Sequence, residues 1–207
     1  MKPRSLLAAA LAAVGGAAAG YSLVLRERCL TWGAEPAEVH AAMPGDALMP
    51  DSPLVTTRAV TIDAPPDAIW PWLVQMGPGR GGAYTYDWIE NLFRLDMHSS
   101  DRVLPEFQDL KIGDSMRLGS KGPCLRVEIL EANRALVYRS DDGAWVWAFG
   151  LTPADTDNRR TRLVSRNTIA LPEPTAVQRA FYRYIMEPGS LIMERKMLLG
   201  IKRRAEA

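Results

Sequence analysis

The sequence predicts an α+β domain in which a curved antiparallel sheet grips a long C-terminal helix. Three observations predict it. Several strand-like segments between Lys111 and Ala170 follow one another through connections too short for crossovers, so neighbours pair antiparallel. A helical period returns after Pro174, with Met193, Met197, Gly200 and Ile201 at i, i+4, i+7 and i+8. Two short helical segments separate the first strand from the others. A strongly curved sheet needs its concave face covered, and the C-terminal element is the only long amphipathic one left to do so. A helix held this way, with two small helices closing one end, commonly leaves a cavity against the sheet.

The elements are justified in order. The β-branched run "VTTRAVTI" reads as the first strand. In "DAPPDAIWPWLVQM", the prolines and Asp67 suit a helix start, and Pro71 bends the helix or limits it to about three turns. In "YDWIENLFRL", Trp88, Leu92 and Leu95 fall at i, i+4 and i+7 beside Ile89 and Phe93, which predicts an amphipathic helix. "KIGDSMRL" reads as a turn and a strand. "CLRVEIL" alternates, placing Leu125, Val127 and Ile129 on one face. "ALVYRS" returns, "AWVWAFGL" puts Trp145, Trp147, Phe149 and Leu151 together, and "TRLVSRNTIA" is the last strand. Pro188-Gly189 is expected to split the C-terminal region into two helical pieces. Lys202, Arg203 and Arg204 suit the dipole of its last turn.

Ahead of this domain, Ser5 to Leu25 is continuously apolar and long enough, at about 30 Å as a helix, to cross a bilayer core. Ala17-x-Ala19 would serve a signal peptidase, but the apolar run continues to a basic stop at Arg26, which favours an uncleaved single-pass anchor. Both flanks carry two basic side chains, so the positive-inside rule assigns no side to the domain. The expected organisation is residues 1–28 as anchor, 29–53 as a linker that partly packs on the domain, and 54–207 as the domain.

The 207 residues are 47% apolar with formal charge +1, enough for a core and without a global pull toward nucleic acid. Cys29 and Cys124 make no disulfide framework, and Cys29, just past the anchor, reads as a free thiol without a lipoprotein-type box. With His40 and His98 as the sole histidines, no zinc-type ligand cluster is legible, and no metal or cofactor is expected.

Gly77, Gly79 and Gly82 in "GPGRGG" satisfy G-x-G-x-x-G. A dinucleotide site needs a strand before such a loop and a βαβ unit around it; here a helix precedes, antiparallel strands follow, and Ala83 stands where a phosphate loop needs lysine. The loop is expected to be a turn between helices with glycines at positive φ.

The order of elements, with "TRAVTIDAPPDAIWPWLVQMGPGRGGAYTYDWIENL", "GDSMRL" and "MERKMLLGIKRRAE", resembles the helix-grip fold of the START-like (SRPBCC) superfamily, and within it a group of membrane-anchored bacterial proteins. The superfamily includes polyketide cyclases and aromatases, Bet v 1-like proteins and lipid-transfer domains. The resemblance runs from about Trp32 to the C-terminus. It implies a hydrophobic or amphipathic ligand between sheet and C-terminal helix, and it carries over no catalytic residue.

Candidate ligand-binding residues are Arg80, Tyr84, Tyr86, Trp88, Trp145, Trp147 and Phe149. Arg80 with the two tyrosines could clamp a carboxylate or phosphate head group at the cavity mouth. Trp145, Trp147 and Phe149 would line the cavity, or simply pack the core. "HSSD", His98 to Asp101, has triad-type residues, but adjacency in sequence gives a triad no support. Asp87, Glu90 and Asp114 read as helix-surface or turn acids. The expected function is a membrane-tethered binding domain for a lipid or polyketide-like molecule. The alternatives are a cyclase- or aromatase-type enzyme, which needs a compact acid–base pair facing the cavity, and a membrane-side protein-interaction module using "MERKMLLGIKRR".

Overall fold

The computed structural model describes residues 12–13, 15–92, 94–119 and 122–207. Six strands form one antiparallel sheet in the order β1-β6-β5-β4-β3-β2. They are β1 (Leu54–Ile62), β2 (Ser115–Arg117), β3 (Cys124–Glu131), β4 (Ala135–Ser140), β5 (Trp145–Pro153) and β6 (Thr161–Ile169). The helices are α1 (residues 15–30), α2 (Pro36–His40), α3 (Pro66–Val74), α4 (Asp87–Leu92) and α5 (residues 176–205).

The period-2 pattern decides which side chains meet α5. Leu54, Thr56, Arg58 and Ile62 of β1, Leu163, Ser165 and Asn167 of β6, and Trp145, Trp147, Phe149 and Leu151 of β5 share the concave face. The main core joins Leu125, Val127, Leu136, Tyr138, Phe149 and Leu163 to Leu73 of α3 and to Met197, Leu198 and Ile201 of α5. The alternation expected for β3 breaks at a bulge between Val127 and Ile129, so Val127 faces Tyr138 but Ile129 faces Val137. The extra residue reverses the facing. Ile129 therefore leaves the Leu125–Val127 face and joins Val137, Val146 and Ala148 on the convex side.

Residues 29–53 cover that convex side and one sheet edge. Met43, Leu48 and Met49 pack on Val137, Val146 and Ala148. Two arginines of β6 hold α2: Arg162 bonds both Glu38 carboxylate oxygens at 2.6 and 2.7 Å, and Arg166 donates to the carbonyls of Glu38, Val39 and Ala41 and to Asp46. At the β1 edge the Ala59 amide donates to the Trp32 carbonyl, occupying a group that would otherwise invite another strand. Gly33 beside it has φ +71, and a Cβ there would collide with the Ala59 carbonyl oxygen. Gly33→Ala is therefore expected to cost about 1–3 kcal/mol and to speed hydrogen exchange of the Ala59 amide. Unchanged exchange at Ala59 would contradict this docking.

Two helix expectations are corrected. Pro188-Gly189 does not break the C-terminal helix. Residues 176–181 are α-helical, Tyr182–Met186 form a π-turn and Glu187–Ala205 continue as α-helix, with helical backbone at each junction. Pro188 has no N–H to bond back four residues, and the wider π-turn immediately before it absorbs that mismatch while the backbone stays helical. The stripe of α4 is also turned around. Trp88 is 66% exposed and Leu92 is exposed, whereas Glu90 is buried. Polar tethers set this rotation: Asp87 accepts from the Ser99 amide and hydroxyl, and the Asn91 side chain bonds both the amide and the carbonyl of Met97. Phe93 of that stripe lies outside the described residues.

α1 likewise contains a π-turn, Tyr21–Leu25, and runs on to Leu30. It packs on α5 through one hub. Arg26 forms two bonds to the Glu187 carboxylate at 2.8 and 2.9 Å, the Tyr21 hydroxyl adds a third, and Ser22 meets Tyr184. Among the described residues no helix is long and apolar enough to cross a membrane. Residues 1–11 and 14, part of the expected anchor, lie outside the described residues.

Candidate ligand cavity

Between the sheet and α5 lies a cavity of about 550 Å³ with a mainly apolar wall. That size suits a small hydrophobic molecule. The alternation of β5 sends Trp145 and Trp147 into the wall, stacked with ring centroids 5.6 Å apart. Their indole N–H groups donate to Asn167 Oδ1 and Ser165 Oγ at 2.9 and 3.0 Å, which locks both rings in place. From α5 come Tyr182, Met186, Met193 and Met197; from the loop before α4 come Ala83 and Thr85. Methionines adapt to irregular apolar shapes.

A polar cluster sits in the same wall. Arg58, fully buried, forms an ion pair with Glu194 of α5. Its Nε donates to the Cys29 carbonyl at 3.1 Å and its Nη2 to Ser190 Oγ at 3.0 Å. Glu194 Oε1 also accepts from Ser165 at 2.5 Å and from Asn167 at 3.1 Å. Burial pushes the Glu194 carboxyl up, while Arg58, Ser165 and Asn167 pull it back down. The network ties α5 to β1 and β6 and, through Ser165 and Asn167, to both tryptophans.

Glu90 is another of the wall's buried acids, beside Glu187 and Glu194, and its Oε2 has no hydrogen-bond partner among the described residues. Burial raises its carboxyl above the ordinary glutamate range, the neighbouring Thr85 hydroxyl pulls it partly back, and Asp87 adds to the rise. The native state thus keeps this proton at pH values where the unfolded chain has already lost it. Stability from this group is complete below the unfolded value and declines as pH rises through the raised folded value. Wild type minus Glu90→Gln, followed by urea unfolding across that window, should show this downward slope, and identical slopes would refute it.

The sequence-predicted residues separate. Trp145 and Trp147 line the cavity. Phe149 packs beneath Trp147 at 4.8 Å in the core. Tyr84 is 1% exposed, with its hydroxyl donated to the Trp72 carbonyl at 2.9 Å, and burial raises its phenol pKa. Tyr86 meets the Lys196 ammonium over its ring at 5.4 Å, and Trp88 faces solvent. Arg80 points away from the cavity. It lines a separate recess of about 150 Å³ with Met116 and Tyr138, its Nη2 donates to the carbonyls of Val74 and Phe107, and its guanidinium stacks 4.6 Å over Phe107. The head-group clamp at the mouth of the large cavity is therefore not formed by Arg80.

The glycine loop is a closed turn. Gly77 and Gly82 bond to each other in both directions, and the amides of Gly79, Arg80 and Gly81 donate to the carbonyls of Asp96, Gly77 and Gln75. These N–H groups face backbone oxygens rather than a phosphate. His98 is exposed beside Asp96, and Ser99 is spent on Asp87 and the Tyr84 amide. Asp114 caps its own turn through the Lys111 amide. Cys29 is buried, with its thiol toward the Glu187 carbonyl.

Sequence reading missed Arg58, Glu90, Asn167 and Glu194. A signal was present: Thr56, Arg58, Ser165 and Asn167 occupy inward positions of their strands, and Glu187, Ser190 and Glu194 continue the inward stripe of α5 toward its start. Polar residues at core-facing positions mark a built site or an anchor.

Strand order, the single long gripping helix and the cavity between them define a helix-grip fold. Among solved structures the chain is similar to KanY (ms6282), at 15% identity over 74% of this chain and 98% of that one, with a TM-score of 0.46. It is also similar to the Polyketide_cyc-like protein Cgl2372 of Corynebacterium glutamicum, at 19% identity over 75% of this chain and 92% of that one, with a TM-score of 0.39. A third is MLL2253 of Mesorhizobium loti, at 16% identity over 73% and 96%, with a TM-score of 0.40. No protein-family model matches the chain, and neither does any curated protein.

Proposed function

We propose that this protein is a membrane-tethered binding domain that holds a hydrophobic or amphipathic small molecule between the sheet and α5. The observation that carries the reading is the 550 Å³ apolar-walled cavity, left open although Trp145, Trp147 and three methionines surround it. Well-packed interiors leave few voids larger than a water molecule, so a space of this size is kept for an occupant. Binding is favoured over a cyclase-type reaction because Arg58 and Glu194 are tied to each other and to their neighbours, which leaves Glu90 without an acid–base companion.

Tethering is supported by the apolar run from Ser5 to Leu25 and by the exposed Leu23, Val24 and Leu25 at its end. The Tyr182–Met186 turn supports it too, because Tyr182 and Met186 reach the cavity while Phe181 and Ile185 of the same helix are exposed. Such an arrangement would let an apolar ligand pass from a bilayer to the pocket.

The test is native mass spectrometry of the full chain from its own host, with extraction of any bound molecule. Wild type should retain an apolar small molecule. Trp147→Ala, which removes the central stacked ring, should lose it at least tenfold more readily while still folding. An empty wild-type protein that binds nothing from a panel of lipids and aromatic hydrophobes would sink the proposal.

A further inference from the structure

We infer that the cavity selects a neutral hydrophobe carrying a carbonyl or hydroxyl group, received by Glu90, Thr85 and Thr56, and discriminates against anionic head groups. The inference rests on the binding reading above and narrows it to a ligand class.

The three residues line the same cavity, Thr56 from β1 and Thr85 and Glu90 from α4 and the loop before it. Glu90 is 8% exposed and Thr56 3%. Glu90 Oε2, Thr56 Oγ1 and Thr85 Oγ1 are buried with no hydrogen-bond partner among the described residues. Buried polar atoms in folded proteins are nearly always paired, because an unpaired one forfeits its hydration. Three such atoms around one void mark where a partner's polar atoms belong. Burial without a counter-charge favours the protonated carboxyl, and in that form Glu90 donates to a carbonyl or hydroxyl oxygen while a threonine hydroxyl donates or accepts beside it.

Charge in the wall selects against anions. Among the described residues Arg58 is the one cationic side chain that lines the cavity, and its donors go to Cys29, Glu194 and Ser190. The other ionisable groups of the wall are acids or a phenol: Glu90, Asp142, Glu187, Glu194 and Tyr182. A carboxylate or phosphate entering here would lose its water and meet no free positive partner. The remaining wall, tryptophans and methionines, takes the apolar body of the ligand.

The test uses the full chain in amphipol and five straight-chain probes of one length: decane, decanone, decanol, decanoate and decylamine. Tryptophan fluorescence reads binding through Trp145 and Trp147. Decanone and decanol are expected to bind about tenfold tighter than decane or decanoate, the worth of one buried hydrogen bond. Glu90→Leu should erase that preference by weakening decanone and decanol without weakening decane. Thr56→Val with Thr85→Val, which removes the hydroxyls with little change of shape, should weaken decanone and decanol in the same direction if Glu90→Leu does not fold. Equal binding of decane and decanone would overturn the polar pole and leave the cavity reading standing. Tightest binding of decanoate or of decylamine would overturn it in favour of a charged ligand. Failure of all five on wild type would remove the binding reading and this inference with it.

Discussion

Glu194→Leu alone should lower the free energy of unfolding by about 3–5 kcal/mol, because it strands a fully buried guanidinium. Arg58→Met alone should cost a similar amount by leaving the carboxylate without its countercharge. The double variant Arg58→Met/Glu194→Leu should recover at least half of either loss, since two apolar side chains of similar volume remove both desolvation penalties together. Urea unfolding of the four proteins gives the coupling energy directly. Additive single effects would show that the pair is not the anchor between α5 and the sheet. The same cycle bears on the cavity. Ser165 and Asn167 hand the indoles of Trp147 and Trp145 on to Glu194, so the tryptophan emission of Glu194→Leu should shift even below the unfolding transition.

Gly200→Val is the second large effect. A Cβ at Gly200 would lie 2.6 Å from the Tyr84 carbonyl oxygen and 2.9 Å from Tyr84 Cβ. Tyr84 cannot retreat. Its backbone is held at φ 59, its amide donates to Ser99 Oγ, and its hydroxyl donates to the Trp72 carbonyl. The expected loss is about 3 kcal/mol, the upper end for overpacking a core. Gly189, in the same helix, has nothing within 4 Å of its would-be Cβ. Gly189→Ala should therefore stabilise by about 0.5–1 kcal/mol through helix propensity alone. Thermal melts of the pair separate close packing from propensity, and a Gly200→Val melt equal to wild type would show that α5 does not press on the Tyr84 loop.

How far the site was legible varies residue by residue. Trp145 and Trp147 were readable because strand alternation is local and a β-branched and aromatic run has one period. The bulge at Val127 to Ile129 was not, because an extra residue leaves the alternating pattern of "CLRVEIL" intact on paper and reverses it only against β4. Trp88 and Glu90 exchanged sides for a similar reason. A six-residue helix has too little apolar surface to choose its own rotation, so the tethers from Asp87 and Asn91 to the following loop choose it. Arg80 sits on the expected loop, but the closed Gly77–Gly82 turn aims it at Phe107.

By itself the sequence determined the class of architecture, the strand segments, the apolar N-terminal run and the aromatic row of β5. These follow from composition and from periods of two and of 3.6, which act over neighbouring residues. Only the tertiary structure decided which polar residues face the void, because Arg58 and Glu194 are 136 positions apart and meet through the packing of α5 on β1. Whether a buried charge is a liability or an anchor depends on a partner that no local pattern names. The unpaired oxygens of Glu90, Thr85 and Thr56 were decided at the same level, since burial is a property of the assembled walls and not of the segments that build them.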